Sequence, residues 1–282
     1  MKKILLLISF VVAAALSAMA TTPLPTREGQ GGGSGKSSVA LYCSQGFQGP
    51  ELWDRHDLPI DKKGYITIFD GQTFAGWRGY GKTYVPSKWK VQDGAIFLDS
   101  KAKGEGGDII FAHQFGPDFE FEMEWKIAEG GNSGIFYLAR EVANEKSLEP
   151  IYISAPECQV LDNERHPDAK LGKDNNRQAG SLYDMIPAKP QNAKPAGQWN
   201  KIRIRVKNGH VQHFQNGVEV LSYNLWTPEW TALLQDSKFS EKAWPTAFNL
   251  LNNCGGPEHK GFIGLQDHGD NVWYRNIKVK EL

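Results

Sequence analysis

The chain has 282 residues, and its 32 lysines and arginines balance its 32 aspartates and glutamates. That length holds one large β-sandwich or two smaller domains. Because no sign of charge dominates, a nucleic-acid or anionic-membrane partner is not expected, while uncharged ligands such as sugars stay open.

The N-terminus reads as a targeting segment. Lys2 and Lys3 precede an apolar run over residues 4–16, and Ala18-Met19-Ala20 has the small-x-small cleavage pattern. A signal peptide over 1–20 is expected, with the mature chain starting at Thr21 in the periplasm or outside the cell. The run is too short for a comfortable bilayer span, so no membrane attachment is expected after cleavage. An uncleaved anchor is the alternative. Residues 21–59 read as a linker and N-terminal extension, because the glycine-rich stretch 31–35 has nothing to bury. The globular domain is expected over 60–282. Cys43, Cys158 and Cys254 are an odd set, so at most one bridge forms within the chain. No CxxC or paired-histidine spacing marks a structural zinc site.

From Tyr65 the pattern is β. Residues 65–69 are β-branched and aromatic and end in the Asp70-Gly71 turn. A second turn, Asp93-Gly94, leads into a strand over 95–98. Residues 119–127 alternate: Phe119, Phe121, Met123, Trp125 and Ile127 share one face, and Glu120, Glu122, Glu124 and Lys126 share the other. Further strands are expected over 133–139, 199–207, 210–215, 218–223, 262–268 and 272–280. Asn208-Gly209 and Asn216-Gly217 are two-residue hairpin signals. One short helix is expected over 229–239. Many strands without βαβ alternation predict an all-β fold, a two-sheet antiparallel sandwich or jelly roll. The proline-rich segment 141–200 reads as long loops on that scaffold, where function commonly sits.

Six segments carry a family resemblance. Ile68-Phe69-Asp70-Gly71-Gln72-Thr73-Phe74-Ala75-Gly76-Trp77 opens the series, and Gly131-Asn132-Ser133-Gly134-Ile135-Phe136-Tyr137 follows. Then come Glu157-Cys158-Gln159-Val160-Leu161-Asp162-Asn163, Ala179-Gly180-Ser181-Leu182-Tyr183-Asp184 and Gly197-Gln198-Trp199-Asn200. Gly264-Leu265-Gln266-Asp267-His268-Gly269 with Arg275-Asn276-Ile277-Lys278 closes it. In this order they resemble the 3-keto-disaccharide hydrolase family. The resemblance implies a concanavalin A-like jelly roll with its site on the concave sheet. It also implies activity on 3-keto-glycosides, by hydrolysis or by elimination and hydration. Cys158 departs from the aromatic or aliphatic residue of many relatives, and a free cysteine packs as a small hydrophobe.

Within a strand, Glu157 and Gln159 project from the same face, so a carboxylate stands beside an amide. That pairing suits gripping a sugar and moving a proton; the plainer reading is a polar surface strand. His166 lies four residues beyond Asp162 in a loop, where it could be a general base, a metal ligand or simply solvated. Gln266 and His268 share a face and could line the same surface. Arg140 ends a strand and could hold hydroxyls or a carboxylate, or pair with Glu141 or Glu145. Tyr183 and Trp77 are candidate stacking platforms, with a core role the plainer reading of Trp77. Glu124, in the row with Glu120 and Glu122, is a secondary catalytic candidate because carboxylate rows serve ordinary glycosidases. The glucanase spacings Glu-x-Asp-x-x-Glu and Glu-x-Asp-x-Glu are absent, and a solvated charged face explains the row as well. Asp174-Asn175-Asn176 offers oxygen ligands to a divalent cation without a fixed calcium-loop spacing.

The expected function is therefore an exported enzyme cleaving 3-keto-glycosides or 3-keto-disaccharides, with a small carbohydrate as its partner. Glu157 or His166 would be the base, and a cation, Arg140 or His268 would stabilise an enolate. A non-catalytic carbohydrate-binding domain is the second reading, and an ordinary glucanase is the third.

Overall fold

A computed structural model describes residues 59–282. The expected leader, nearly all of the expected extension, and Cys43 lie outside the described residues. Among the described residues no helix is long and apolar enough to cross a membrane.

Strands dominate. The first five are β1 (Ile66–Thr67), β2 (Trp77–Gly79), β3 (Trp89–Gln92), β4 (Ala95–Leu98) and β5 (Ile109–Phe111). The central strands are β6 (Phe119–Ile127), β7 (Asn132–Ala139) and β8 (Glu157–Leu161). The chain closes with β9 (Asn200–Lys207), β10 (His210–Gln215), β11 (Val218–Asn224), β12 (Phe262–Leu265) and β13 (Val272–Glu281). They form an eight-stranded sheet in the order β11-β10-β9-β6-β13-β4-β3, with β1 paired to β13, and a five-stranded sheet in the order β2-β5-β12-β7-β8. Every pairing within the two sheets is antiparallel, as expected of a jelly-roll sandwich.

The alternation of β6 holds at every position. Phe119, Phe121, Met123, Trp125 and Ile127 are buried in the core between the sheets. Ile202, Ile204 and Val206 of β9 join them. Both Asn-Gly turns have positive φ at both residues, which matches the twist of the strands they join.

Some elements differ from the pattern-based expectation. The strand expected over 65–69 pairs only at Ile66 and Thr67. Beyond them the chain turns, and the Ile68 carbonyl accepts from the buried Trp77 indole. β2, β3 and β5 have three or four residues each, too few to show a period. The helix α1 (Pro228–Gln235) is capped by Thr227 and stops before Ser237, short of the expected end at 239. A second helix, α2 (Pro245–Asn252), starts on a proline at its first turn and has no counterpart in the sequence reading.

A polar chain runs through the core between the sheets. The Gly180 carbonyl can only accept, so His213 Nδ1 donates to it at 3.0 Å. His213 Nε2 then accepts from the Tyr137 hydroxyl at 2.8 Å, and Tyr137 in turn accepts from Tyr223. Burial holds His213 down to about 4, so the imidazole is neutral in the fold. The chain ties the loop around Gly180 to both sheets. Cys158 and Cys254 are buried and free.

Candidate active site

Register on the five-stranded sheet decides which side chains leave the core. Cys158 opposite Ile135 and Val160 opposite Ser133 turn inward. Glu157 and Gln159 alternate with them and turn to the outer face. β8 is an edge strand, but the loop after residue 179 covers it. Gln159 N donates to Ser181 O, Gly180 N to Gln159 O, and Tyr183 N to Glu157 O. These bonds satisfy the edge and fix Tyr183 beside Glu157.

A cleft of about 360 Å³ opens on this outer face. The sheet and the segment following β12 contribute Asn132, Glu157, Gln159, Gln266 and His268. The loops above contribute Tyr152, Tyr183, Lys238 and Trp244. Tyr152 and Trp244 meet edge-to-face with ring centres 6.0 Å apart. The cleft thus has an aromatic wall and a polar floor, a composition suited to a small polar ligand.

Its polar groups are unusually short of protein partners. Glu157 is 7% exposed, and no described residue donates a hydrogen bond to its carboxyl group. Both amide atoms of Gln159, Oδ1 of Asn132 and Oε1 of Gln266 are buried without a hydrogen-bond partner among the described residues. Buried polar atoms are rarely left unmatched, so a cluster of them around one cleft calls for a ligand. Burial pushes the Glu157 carboxyl up to about 8, against a downward pull from Lys238. Gly134 lies beneath it, and a β-carbon there would run into the carboxyl group.

Lys238 is held by its backbone, whose N–H donates to Asp184 Oδ2 at 2.8 Å. Its ammonium lies 4.3 Å from the centre of the Tyr183 ring and 5.0 Å from that of Phe239. Desolvation pulls its pKa down, partly offset by Glu157. Tyr183 donates its hydroxyl to Asp168 at 2.9 Å, and Arg177 clamps Asp168 at 2.8 Å and Asp184 at 2.6 Å. One network therefore orients Tyr183 and the backbone of Lys238 together.

The remaining candidates lie elsewhere. His166 does not line the cleft. It caps the 3-10 turn Pro167–Lys170 with Nδ1, which accepts from Asp168 N, and its ring centre is 6.2 Å from that of His268. His268 Nε2 stands 3.4 Å from Asn132 Nδ2. Asp162 is occupied in the turn, accepting from Gly130 N and Glu164 N. Trp77 is fully buried in the core. The Arg140 guanidinium lies against Gly256 and forms no ion pair with Glu141 or Glu145. Glu124 is on the other sheet, bound to Arg275 at 2.7 Å. Asn176 of the Asp174-Asn175-Asn176 stretch is turned to its own loop, accepting from Lys173 N. Among the described residues no group of three or more His, Cys, Asp or Glu side chains is arranged to hold a metal ion.

Four lining residues were not singled out from sequence as site candidates: Asn132, Tyr152, Lys238 and Trp244. Asn132 stood in a quoted motif and on the right strand face. The other three come from loops distant in sequence, and no local pattern marks them.

A jelly roll with a polar, aromatic-walled cleft on one sheet defines a carbohydrate-active class of protein. Residues 64–280 match the model of the 3-keto-alpha-glucoside-1,2-lyase-like domain, and the chain belongs to that family. It is 62% identical over 256 residues to a 3-keto-disaccharide hydrolase of Bacteroides thetaiotaomicron, covering 87% of this chain and 88% of that one. Two solved structures from Parabacteroides distasonis, both provisionally assigned as glycosyl hydrolases, share the fold. One has a TM-score of 0.64 at 27% identity, over 78% of this chain and 94% of its own. The other has a TM-score of 0.55 at 25% identity, over 73% and 99%.

Proposed function

We propose that this protein cleaves the glycosidic bond of 3-keto-disaccharides or related 3-keto-glycosides. The observation that carries the reading is the Glu157 carboxyl group: buried in the cleft, without a hydrogen-bond partner among the described residues, and surrounded by unmatched amides. Family membership and the named relative support the same substrate class.

The chemistry follows from the ketone. A carbonyl at C3 acidifies the proton on C2. Glu157, once ionised, takes that proton, and the C–H electron pair moves toward C3 to form an enolate. When the enolate collapses, the pair shifts to C1–C2 and the C1–O bond breaks. The leaving oxygen recovers the proton from Glu157. Water then adds across the new double bond, hydroxyl to C1 and hydrogen to C2. The net change is hydrolysis, reached through a lyase step; the lyase name of the family describes the first step, and the hydrolase name of the relative describes the sum. Gln159, Asn132 and Gln266 grip hydroxyls that would otherwise leave their amides unmatched. A carboxylic acid with its pKa near neutrality is suited to both taking and returning a proton. No step here is routed through a cation. Catalysis follows export, with the leader removed at Thr21.

The test is a screen of 3-keto-glycosides with and without chelator, using the wild type and Glu157→Gln in D₂O. Aglycone release that is lost in the variant, with solvent deuterium at C2 of the product, is the expected result. Release without deuterium at C2 would replace elimination by direct hydrolysis. Sugar binding with no release from any 3-keto substrate would leave a carbohydrate-binding domain.

A further inference from the structure

The elimination just described places negative charge on the C3 oxygen, and something in the cleft must receive it. Of the groups first considered, Arg140 does not line the cleft, and among the described residues no group of three or more His, Cys, Asp or Glu side chains is arranged to hold a cation. His268 is present, but it stands beside Asn132 at the floor.

Lys238 has a different setting. Its ammonium enters the cleft from the loop after α1 and packs on the rings of Tyr183 and Phe239. It forms no ion pair among the described residues, although its backbone is tied to Asp184. Other basic side chains nearby are already engaged: Arg177 holds Asp168 and Asp184, and Lys173 holds Asp236. An ammonium held on aromatic faces keeps its hydrogen-bond donors available to a ligand. A fixed donor in a partly dry cleft stabilises developing charge more than one in open water.

We propose that Lys238 is a catalytic residue that binds the C3 oxygen and stabilises the charge that develops there, so that it sets the preference for an oxidised sugar over its unoxidised parent. The proposal rests on the 3-keto reading above. In this arrangement Glu157 and Lys238 act as a pair, one taking the C2 proton and the other receiving the displaced electron density at oxygen. The parent disaccharide carries a hydroxyl at C3, develops no such charge, and draws little from Lys238.

The experiment compares the wild type, Lys238→Met and Lys238→Arg. Turnover of a 3-keto-disaccharide and calorimetric binding of the unoxidised parent are measured on each. Lys238→Met is expected to lower kcat by about 10²–10³-fold, the usual loss of one charge-stabilising donor. Binding of the parent should stay within about twofold, which a collapsed cleft would not allow. Lys238→Arg should recover part of the rate, since it keeps the charge but not the point geometry. Wild-type turnover with a Lys238→Met rate within about threefold overturns this inference alone. So does a loss that appears equally in binding of the parent. A wild type that releases nothing from any 3-keto substrate overturns both this inference and the reading beneath it.

Discussion

The two sheets carry carboxylates on their outer faces under opposite rules. On the eight-stranded sheet, Glu120 bonds Tyr65 and meets Arg203 at 2.8 Å and Lys280 at 3.3 Å. Glu122 lies between Lys201 at 2.9 Å and Lys278 at 3.0 Å, and Glu124 meets Arg275. These pairs are cross-strand neighbours set by the register of β6 with β9 and β13. Burial pushes Glu120 and Glu122 up, but the Tyr65 hydroxyl with Arg203 and Lys280 at Glu120, and Lys201 with Lys278 at Glu122, outweigh it and hold both below the ordinary range. On the five-stranded sheet, Glu157 has the burial without a partner among the described residues, and its pKa goes the other way. A hollow of about 490 Å³ over the first sheet is larger than the cleft, yet its carboxylates are already matched. Unmet bonding capacity, rather than size or the number of acids, separates a reactive face from a structural one.

The sharpest way to break this contrast is to neutralise the unmatched acid. Glu157→Gln should lower kcat by about 10²–10⁴-fold, the range for loss of a general base, while the fold persists. Steady-state kinetics with circular dichroism checks both. Activity within tenfold of the wild type would remove Glu157 from the chemistry.

The second effect is on stability and its pH dependence. Glu157 has an ordinary value of 4.5 and sits at about 8 in the fold. Between those values the folded state holds a proton that the unfolded chain has released, so the stability it contributes is lost as pH rises. The loss is on the order of a few kcal/mol across that window. His213 has the opposite sign: held near 4 against an ordinary 6.5, it costs stability as pH falls through that interval. Urea unfolding from pH 4 to 9 should show the Glu157 slope disappear in Glu157→Gln and the His213 slope remain. The limb of kcat/KM governed by Glu157 should rise with pH and level off above about 8.

The third effect separates position from stability. Gly134→Ala would place a methyl against the Glu157 carboxyl, the movable end of a side chain. The acid can swing aside at little cost to the fold, but then it no longer addresses C2. Rate should fall about tenfold or more, since small misplacements of a reacting group are costly, and the unfolding midpoint should hardly move. A midpoint shift without a rate change would reverse that assignment.

The same contrast explains what the sequence disclosed. Period-two alternation in β6 and β9 and the Asn-Gly turns made the sandwich readable, because burial of one sheet face imprints a local pattern. Glu157 and Gln159 were readable as a pair because a strand puts alternate residues on one face. The matching of charges was not, since Glu124 and Arg275 are 151 positions apart and only register brings them together. Lys238, Tyr152 and Trp244 stayed hidden for the same reason: their approach to Glu157 depends on loops crossing the sheet. His166 drew notice for its chemistry, but its Nδ1 serves a turn. Trp77 and Asp162 likewise answer to the fold, one filling the core and the other closing a loop.

The smallest effect is expected where the matched row is cut. Glu124→Gln removes one carboxylate from a half-exposed pair with Arg275. Exposed and half-exposed ion pairs are worth roughly 0–1 kcal/mol, because water competes for both groups and the long side chain loses freedom. Arg275 also lies 3.9 Å from the centre of the Trp199 ring, which keeps it placed without Glu124. Turnover of a 3-keto-disaccharide should therefore stay within about twofold, and the unfolding free energy within about 1 kcal/mol. A large loss of rate would show that the eight-stranded face takes part in the chemistry, and would return the carboxylate row to the list of catalytic surfaces.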